Sequence, residues 1–370
     1  MKSISITIKV TDSCNMRCKH CYHAEIGFNG DIINIELVKK LLKIASEEYK
    51  KIEILYMGGE PTLFGLANYK EVISFQKHLS DTKQITFTNK IQTNGLLLND
   101  EWINFFITNN FNVGISYDGP HNNDFREQSE IVLNNILNSK KQNMNFGILC
   151  VENNDSIKTL DKTYEWFKEK GLNFKILPLF LAGNAKKNNL LELEASEYAN
   201  KIIDVYKTWL FDCECNIDVA TFHSFLQMTD KMECIHRGAG CLLNRIAITY
   251  NGDMYPCGRP YTSDFKLGHI NSFNSIQDMF RTNGYLKLLS INNKRLQNCK
   301  NCQVFNACKG GCISDAILEK SFSKINNPTC IKTKKLLQLL KLTNQEIYQN
   351  FDSISSKLNK KAIEIIKSTK

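Results

Sequence analysis

The chain has 370 residues, 42% of them hydrophobic, and a formal charge of +9, which predicts one large domain with a smaller companion. No apolar run reaches membrane-spanning length and no secretory signal opens the chain, so a cytoplasmic protein with no membrane partner is expected. Lysines are scattered rather than interleaved with aromatics, which reads as a solvated surface and not as a nucleic-acid face.

The first element is an alternating strand, Ser3–Val10, with Ile4, Ile6, Ile8 and Val10 on one face. A loop with Cys14, Cys18 and Cys21 in the spacing C-x3-C-x2-C follows. Asn34 caps a helix carrying Leu37, Val38, Leu41, Leu42 and Ala45. The strand Lys51–Tyr56 ends in Met57-Gly58-Gly59-Glu60-Pro61, and a helix runs through Tyr69, Val72, Ile73 and Phe75. Ile85–Gln92 is a strand ending in Thr93-Asn94-Gly95; helix Glu101–Ile107 leads to strand Asn112–Tyr117, which ends in Asp118-Gly119-Pro120. Helix 126–142, strand Asn145–Val151, helix 156–170 and strand Phe174–Leu179 complete the series. Such alternation predicts parallel strands with right-handed crossovers and chemistry at the strands' C-terminal ends. Periodicity alone leaves an open sheet and a partial barrel equally available.

Fourteen cysteines in a chain of this kind favour metal binding over a disulfide framework. Three thiols so close together suit an iron–sulfur cluster, and a cubane held by three cysteines keeps one iron open to a small molecule. Zinc is the alternative and would draw its fourth ligand from His20 or His23. With Gly-Gly-Glu-Pro after the second strand, the spacing resembles that of the radical S-adenosylmethionine (SAM) enzymes from about residue 3 onward. In that family the open iron chelates SAM, and an electron from the cluster cleaves it to a 5′-deoxyadenosyl radical that abstracts a substrate hydrogen.

The resemblance implies a partial, TIM-like (β/α)6 barrel, open on one side. It also implies that Gly58, Gly59 and Glu60 receive the methionyl ammonium and that Ser116 and Asp118 meet the ribose and carboxylate. Arg126 would be a carboxylate fork, Asn94 and Leu179 further contacts, and His20, where the family has Tyr or Phe, a partner for adenine. Plainer readings stand beside these: a tight turn at Gly58-Gly59, a solvated Arg126, core packing for Leu179 and a solvent-facing His20.

Leu193–Phe211 and Asp218–Met232 read as amphipathic helices bridging two domains; Cys213 and Cys215 read as ordinary thiols and Cys150 as a core residue. From Cys234 the thiols become dense again, at Cys241, Cys257, Cys299, Cys302, Cys308, Cys312 and Cys330. Between them Arg245–Tyr250 alternates into Asn251-Gly252, a hairpin signal. This spacing resembles the SPASM extension of radical SAM enzymes that act on peptides and proteins, with zinc knuckles as the alternative. By resemblance Cys234, Cys241, Cys257 and Cys312 would hold one auxiliary [4Fe-4S] cluster and Cys299, Cys302, Cys308 and Cys330 a second. Three clusters in all would bring the formal charge of +9 down to about +4. The expected domains are a barrel at 1–190, a helical bridge at 191–232, a SPASM domain at 233–335 and a helical tail at 336–370 that frays.

Anaerobic sulfatase-maturating enzymes, which make formylglycine, carry an Asp base directly after the cysteine equivalent to Cys257. Here Gly258 occupies that place and cannot take a proton. The run Tyr255–Tyr261 looks more like that of peptide maturases. An oxidative crosslink (thioether, C–C or C–O) in a ribosomally made precursor peptide is therefore expected. Formylglycine formation, epimerisation and a plain iron–sulfur electron carrier are the alternatives. Asp264, Tyr261 and Glu60 are the nearby candidates for a substrate base. A flavodoxin or ferredoxin type donor would supply electrons. With the barrel starting by residue 3, the peptide's leader would be held by the barrel mouth and SPASM surface or by a separate leader-binding protein.

Overall fold

A computed structural model describes residues 2–22, 30–190, 193–228, 242–259, 263–318 and 328–369. The chain divides into two compact units, one of residues 1–116, 126–146 and 240–291, the other of 117–125, 147–239 and 292–370.

The first unit begins with β1 (Ser3–Lys9), where Ile4, Ile6 and Ile8 are buried and Ser5, Thr7 and Lys9 are half-buried on the opposite face. α1 (Ile35–Glu48) starts where Asn34 Oδ1 accepts from Glu36 N at 2.9 Å, and it buries Val38, Leu41, Leu42 and Ala45. β2 (Lys51–Met57), α2 (Leu66–Lys83), β3 (Thr86–Thr93), α3 (Asp100–Thr108) and β4 (Asn112–Ser116) continue the alternation. Tyr69 of α2 is the hub of the packing, with ring centroids 5.1 Å from Tyr56, 5.2 Å from Phe64 and 5.6 Å from Trp102. Edge-on pairs of this kind add about 0.5–1.5 kcal/mol each beyond burial.

The helix expected at 126–142 is α4 (Ser129–Lys141). It starts late because Gln128 is left-handed (φ +60°) and Glu127 is drawn to the backbone N–H of Arg17 at 2.9 Å. The hairpin forms as β7 (Arg245–Ile248) and β8 (Asp253–Tyr255), turned by Gly252 at φ +86°, with β9 (Gly268–His269) beyond it. Its seat is the unexpected part: β7 runs parallel to β1, in the register Ser5 with Arg245 and Thr7 with Ala247. Within this unit the strand order is β4-β3-β2-β1-β7-β8-β9.

The second unit holds β5 (Phe146–Glu152) and β6 (Phe174–Pro178), paired in parallel, with α5 (Leu160–Lys170) between them in sequence. Cys150 is fully buried in β5. Phe167 of α5 stacks on Phe174 at 4.3 Å. α6 (Ala195–Phe211) packs against α9 (Pro328–Gln349), where Tyr206 OH donates to Asn344 Oδ1 at 2.9 Å. Between these two in sequence come α7 (Ala220–Gln227) and α8 (Asn283–Cys299), the latter lying across the boundary of the two units. The tail does not fray within the described residues. α10 (Lys360–Thr369) is capped by Asn359, whose Oδ1 accepts from Ala362 N at 2.7 Å, and it buries Ala362, Ile365 and Ile366.

Candidate functional site

β1 leads into Thr11–Ser13, and the end of β2 grips that backbone. Gly59 N donates to Thr11 O at 2.9 Å and Glu60 N to Ser13 O at 2.8 Å. A Cβ on Gly58 would lie 2.3 Å from Thr11 O, and one on Gly59 1.8 Å from Ser13 O. The two glycines thus permit a close approach of backbone to backbone, directly under the cysteine loop. Glu60 is buried with both oxygens engaged. Oε1 accepts from Thr62 N (3.0 Å), Thr62 Oγ1 (2.7 Å) and Thr93 Oγ1 (2.7 Å), and Oε2 accepts from Asn94 N (2.7 Å). Burial pushes its pKa up while these donors oppose the rise. This is the geometry of a brace for the strand ends around the cysteine loop.

The cysteine loop is tied down from several sides. Asn94 Nδ2 donates to Asn15 Oδ1 at 2.7 Å and reaches Cys14 Sγ at 3.8 Å; the Arg17 guanidinium donates to Cys14 O at 2.9 Å. Cys14 is buried, Cys18 and Cys21 are half-buried, and Cys21 N donates to Cys18 O at 3.2 Å. Burial, with Glu60, Cys18 and Cys21 adding to it, pushes the Cys14 thiol up to about 12, so its thiolate requires a bound cation. Among the described residues no three His, Cys, Asp or Glu side chains converge on a single-ion site. Three thiols set around a braced loop fit a multi-iron cluster in their donor chemistry. His20 is buried, 7% exposed, and so is not the solvent-facing residue of the plainer reading. Ser116 Oγ accepts from Gln92 Nε2 at 2.9 Å, and Arg126 is half-buried beside Glu127.

The β7–β8 hairpin brings Cys257 into this neighbourhood. Tyr22 lies within electrostatic reach of Cys21, Arg259 and Cys257, and Lys9 within reach of Cys257; burial raises the tyrosine and lowers the lysine. Gly258 packs on β1 so tightly that a Cβ would lie 2.5 Å from Thr7 Cγ2. Asp264 is exposed and paired with Lys287 at 2.8 Å. Cys234, Cys241 and Tyr261 lie outside the described residues.

In the second unit Asp118 is buried, and its Oδ1 accepts from Val151 N at 2.8 Å. Leu179, also buried, donates its N–H to Glu152 O at 2.8 Å. Glu152 itself is a buried carboxylate that accepts from Ser156 Oγ and, at 3.4 Å, from Cys150 Sγ; burial raises its pKa. Elsewhere in this unit Cys302 N donates to Cys299 O at 2.8 Å, and Cys330 sits in the first turn of α9. Lys309, Gly310 and Gly311 are all left-handed (φ +48°, +81° and +69°) and turn the chain between Cys308 and Cys312. Burial raises the Cys299 thiol, Arg295 opposes this, and Cys330 and Cys302 add to it. Sequence reasoning missed Glu127, Asn15 and Glu152 because nothing local marks a side chain whose partner is distant in the chain.

Residues 8–180 match the radical SAM superfamily and residues 241–303 the SPASM iron–sulfur cluster-binding domain. The chain is a radical SAM enzyme with a SPASM domain. Its cofactors are, in kind, SAM and iron–sulfur clusters. A cysteine-type anaerobic sulfatase-maturating enzyme of Clostridium novyi is 28% identical over 84% of this chain and 88% of its own. The solved structure of native anSMEcpe with bound AdoMet and a peptide superposes with a TM-score of 0.80 at 24% identity, covering 94% of this chain and 100% of that one. SuiB of Streptococcus suis bound to precursor peptide SuiA gives 0.63 at 15% identity, over 89% of this chain and 76% of that one. These likenesses show that the radical SAM enzyme has the α/β fold with a C-terminal SPASM domain. No described helix of the radical SAM enzyme is long and apolar enough to cross a membrane.

Proposed function

We propose that this radical SAM enzyme takes hydrogen from a ribosomally made peptide and closes an oxidative crosslink within it. The observation that carries the choice is Gly258. The position next to Cys257 has no side chain, and Thr7 fills the space one would need, so the carboxylate base of formylglycine chemistry has no seat there. A peptidic substrate is supported by the related structures, one holding AdoMet with a peptide and one a precursor peptide. Cluster and SAM, when bound, supply the hydrogen-abstracting radical.

The chain's own residues do the rest in this reading. Cys14, Cys18 and Cys21 hold the SAM-binding cluster, on a loop braced by Glu60, Asn94 and Glu127. Ser116, Asp118, Arg126, Leu179 and the buried His20 position SAM. Cys234, Cys241, Cys257 and Cys312 would hold one auxiliary cluster and Cys299, Cys302, Cys308 and Cys330 a second, and these would supply electron transfer after hydrogen abstraction. An external flavodoxin or ferredoxin type protein delivers electrons to the enzyme. A second reading, formylglycine formation, is favoured by the Clostridium novyi relative and would need a base other than residue 258.

Mass spectrometry after anaerobic reaction distinguishes the two. The enzyme is presented with short peptides encoded beside its gene and, separately, with a sulfatase-derived cysteine peptide. Loss of two hydrogens mapped to a crosslinked residue pair supports the proposal. An aldehyde on the sulfatase peptide overturns it in favour of formylglycine, and deuterium gain in heavy water with no other mass change would indicate epimerisation.

A further inference from the structure

We propose that Arg295 is a positioning residue that sets the reduction potential of the second auxiliary cluster. The inference rests on the ligand reading above, in which Cys299, Cys302, Cys308 and Cys330 hold that cluster. Arg295 precedes Cys299 by four residues on α8, so both side chains share a helix face. It is only 9% exposed, an unusual place for a guanidinium. Its planar fork donates to the carbonyl of Gly310 and, at 3.4 Å, to Asn292 Oδ1; no carboxylate pairs with it among the described residues.

Gly310 is the centre of the left-handed turn Lys309–Gly311 that follows Cys308. A Cβ there would lie 3.1 Å from Leu296 Cδ2 and 4.0 Å from Arg295 Nη2, so the guanidinium lies alongside the turn. One side chain therefore spans from the helix that ends in Cys299 to the loop that follows Cys308.

Residues 292–312 contain Lys294, Arg295, Lys300 and Lys309 and no acid, and Arg295 alone of these is buried; Asp315, three residues after Cys312, and Lys332, two after Cys330, are buried as well. The exposed Lys294 and Lys300 are screened by water and salt and Lys309 is half-buried, whereas a buried cation acts through a low dielectric. A tetrathiolate cubane gains one negative charge when it accepts an electron, so a fixed cation beside it favours the reduced form. No atom would be transferred: a bound cluster would take up the one electron left on the substrate after hydrogen abstraction and pass it to an oxidised carrier of the flavodoxin or ferredoxin type.

The test is an anaerobic redox titration of the purified holoenzyme, followed by electron paramagnetic resonance, with iron content measured on each sample. Cys299→Ala identifies the signal to follow, as the one lost together with about one cluster's worth of iron. Retention of full iron in that variant would refute the ligand reading, and the Arg295 inference with it. With the signal identified, Arg295→Met is expected to keep its iron and shift the reduction equilibrium about tenfold toward the oxidised form, ~59 mV for a one-electron couple. Arg295→Lys is expected to retain most of the parent potential. An unchanged potential in iron-replete Arg295→Met overturns the inference. So does loss of the cluster from both variants, which would make Arg295 a purely structural support.

Discussion

Glu60 shows how little a side chain's chemistry says about its task until its partners are known. From sequence Glu60 is one of three nearby candidates for a substrate base, but in the structure four donors from three residues close on its two oxygens. Glu60→Gln would turn an amide NH2 toward some of those donors. A loss of about 3 kcal/mol is expected from breaking charge-assisted bonds in a buried network. Thermal unfolding checks the stability, and an iron assay checks whether loading at Cys14, Cys18 and Cys21 falls with it; a variant as stable and iron-rich as the parent would remove the brace assignment. Gly58 and Gly59 teach the same lesson in reverse. Their need for bare backbone was legible in the sequence, while the object they approach, the Thr11–Ser13 backbone, was not, because that contact bridges residues far apart in the chain.

Elements are legible in the sequence where the periodicity is internal to them and less so at their ends. β1 through β6 fall within a residue or two of their predicted bounds because buried positions alternate within each strand. α4 starts three residues late because a tertiary contact at Glu127 overrides local helix propensity. α10 holds where fraying was expected, since Tyr348 OH of α9 donates to Leu226 O of α7 and Asn359 N to Leu210 O, anchors invisible to a local reading. A further junction invites a pH experiment. At the end of α6, Asp212 Oδ2 accepts from Tyr164 OH at 2.6 Å and pairs with Lys168 of α5 at 2.7 Å. Burial alone would raise the carboxyl, but Lys168 and Tyr164 outweigh it and hold the pKa below the usual value. A depressed acid contributes stability above its unfolded pKa, about 3.9, and loses it as pH falls through the lower folded value. Asp212→Asn is therefore expected to cost about 1–2 kcal/mol at neutral pH and to lessen the acid limb of the stability profile, as measured by urea titrations from pH 7 down to about 3. An acid limb identical to the parent's would exclude Asp212 as its source.

For the molecule as a whole, the cysteine spacings make the cofactor chemistry legible in the sequence, because only a few metal sites use such patterns. What no spacing could reveal is that the hairpin leading to Cys257 joins the first strand of the chain as its parallel neighbour. β1 is thus paired on both sides, with β2 and with β7. That arrangement bears on how the enzyme can be divided. A fragment ending at residue 190 would lose β7 and leave the Ser5–Ile8 backbone as a bare parallel edge beside the buried Ile6 and Ile8, an invitation to intermolecular strand pairing. Such a fragment is expected to come out of solution as aggregate under conditions where the full chain stays monodisperse by light scattering, whereas a soluble monomeric fragment would mean that the edge can protect itself. For anyone wishing to transplant the SPASM region or to trim the enzyme to its radical-generating part, the safe cut does not lie where the sequence changes character.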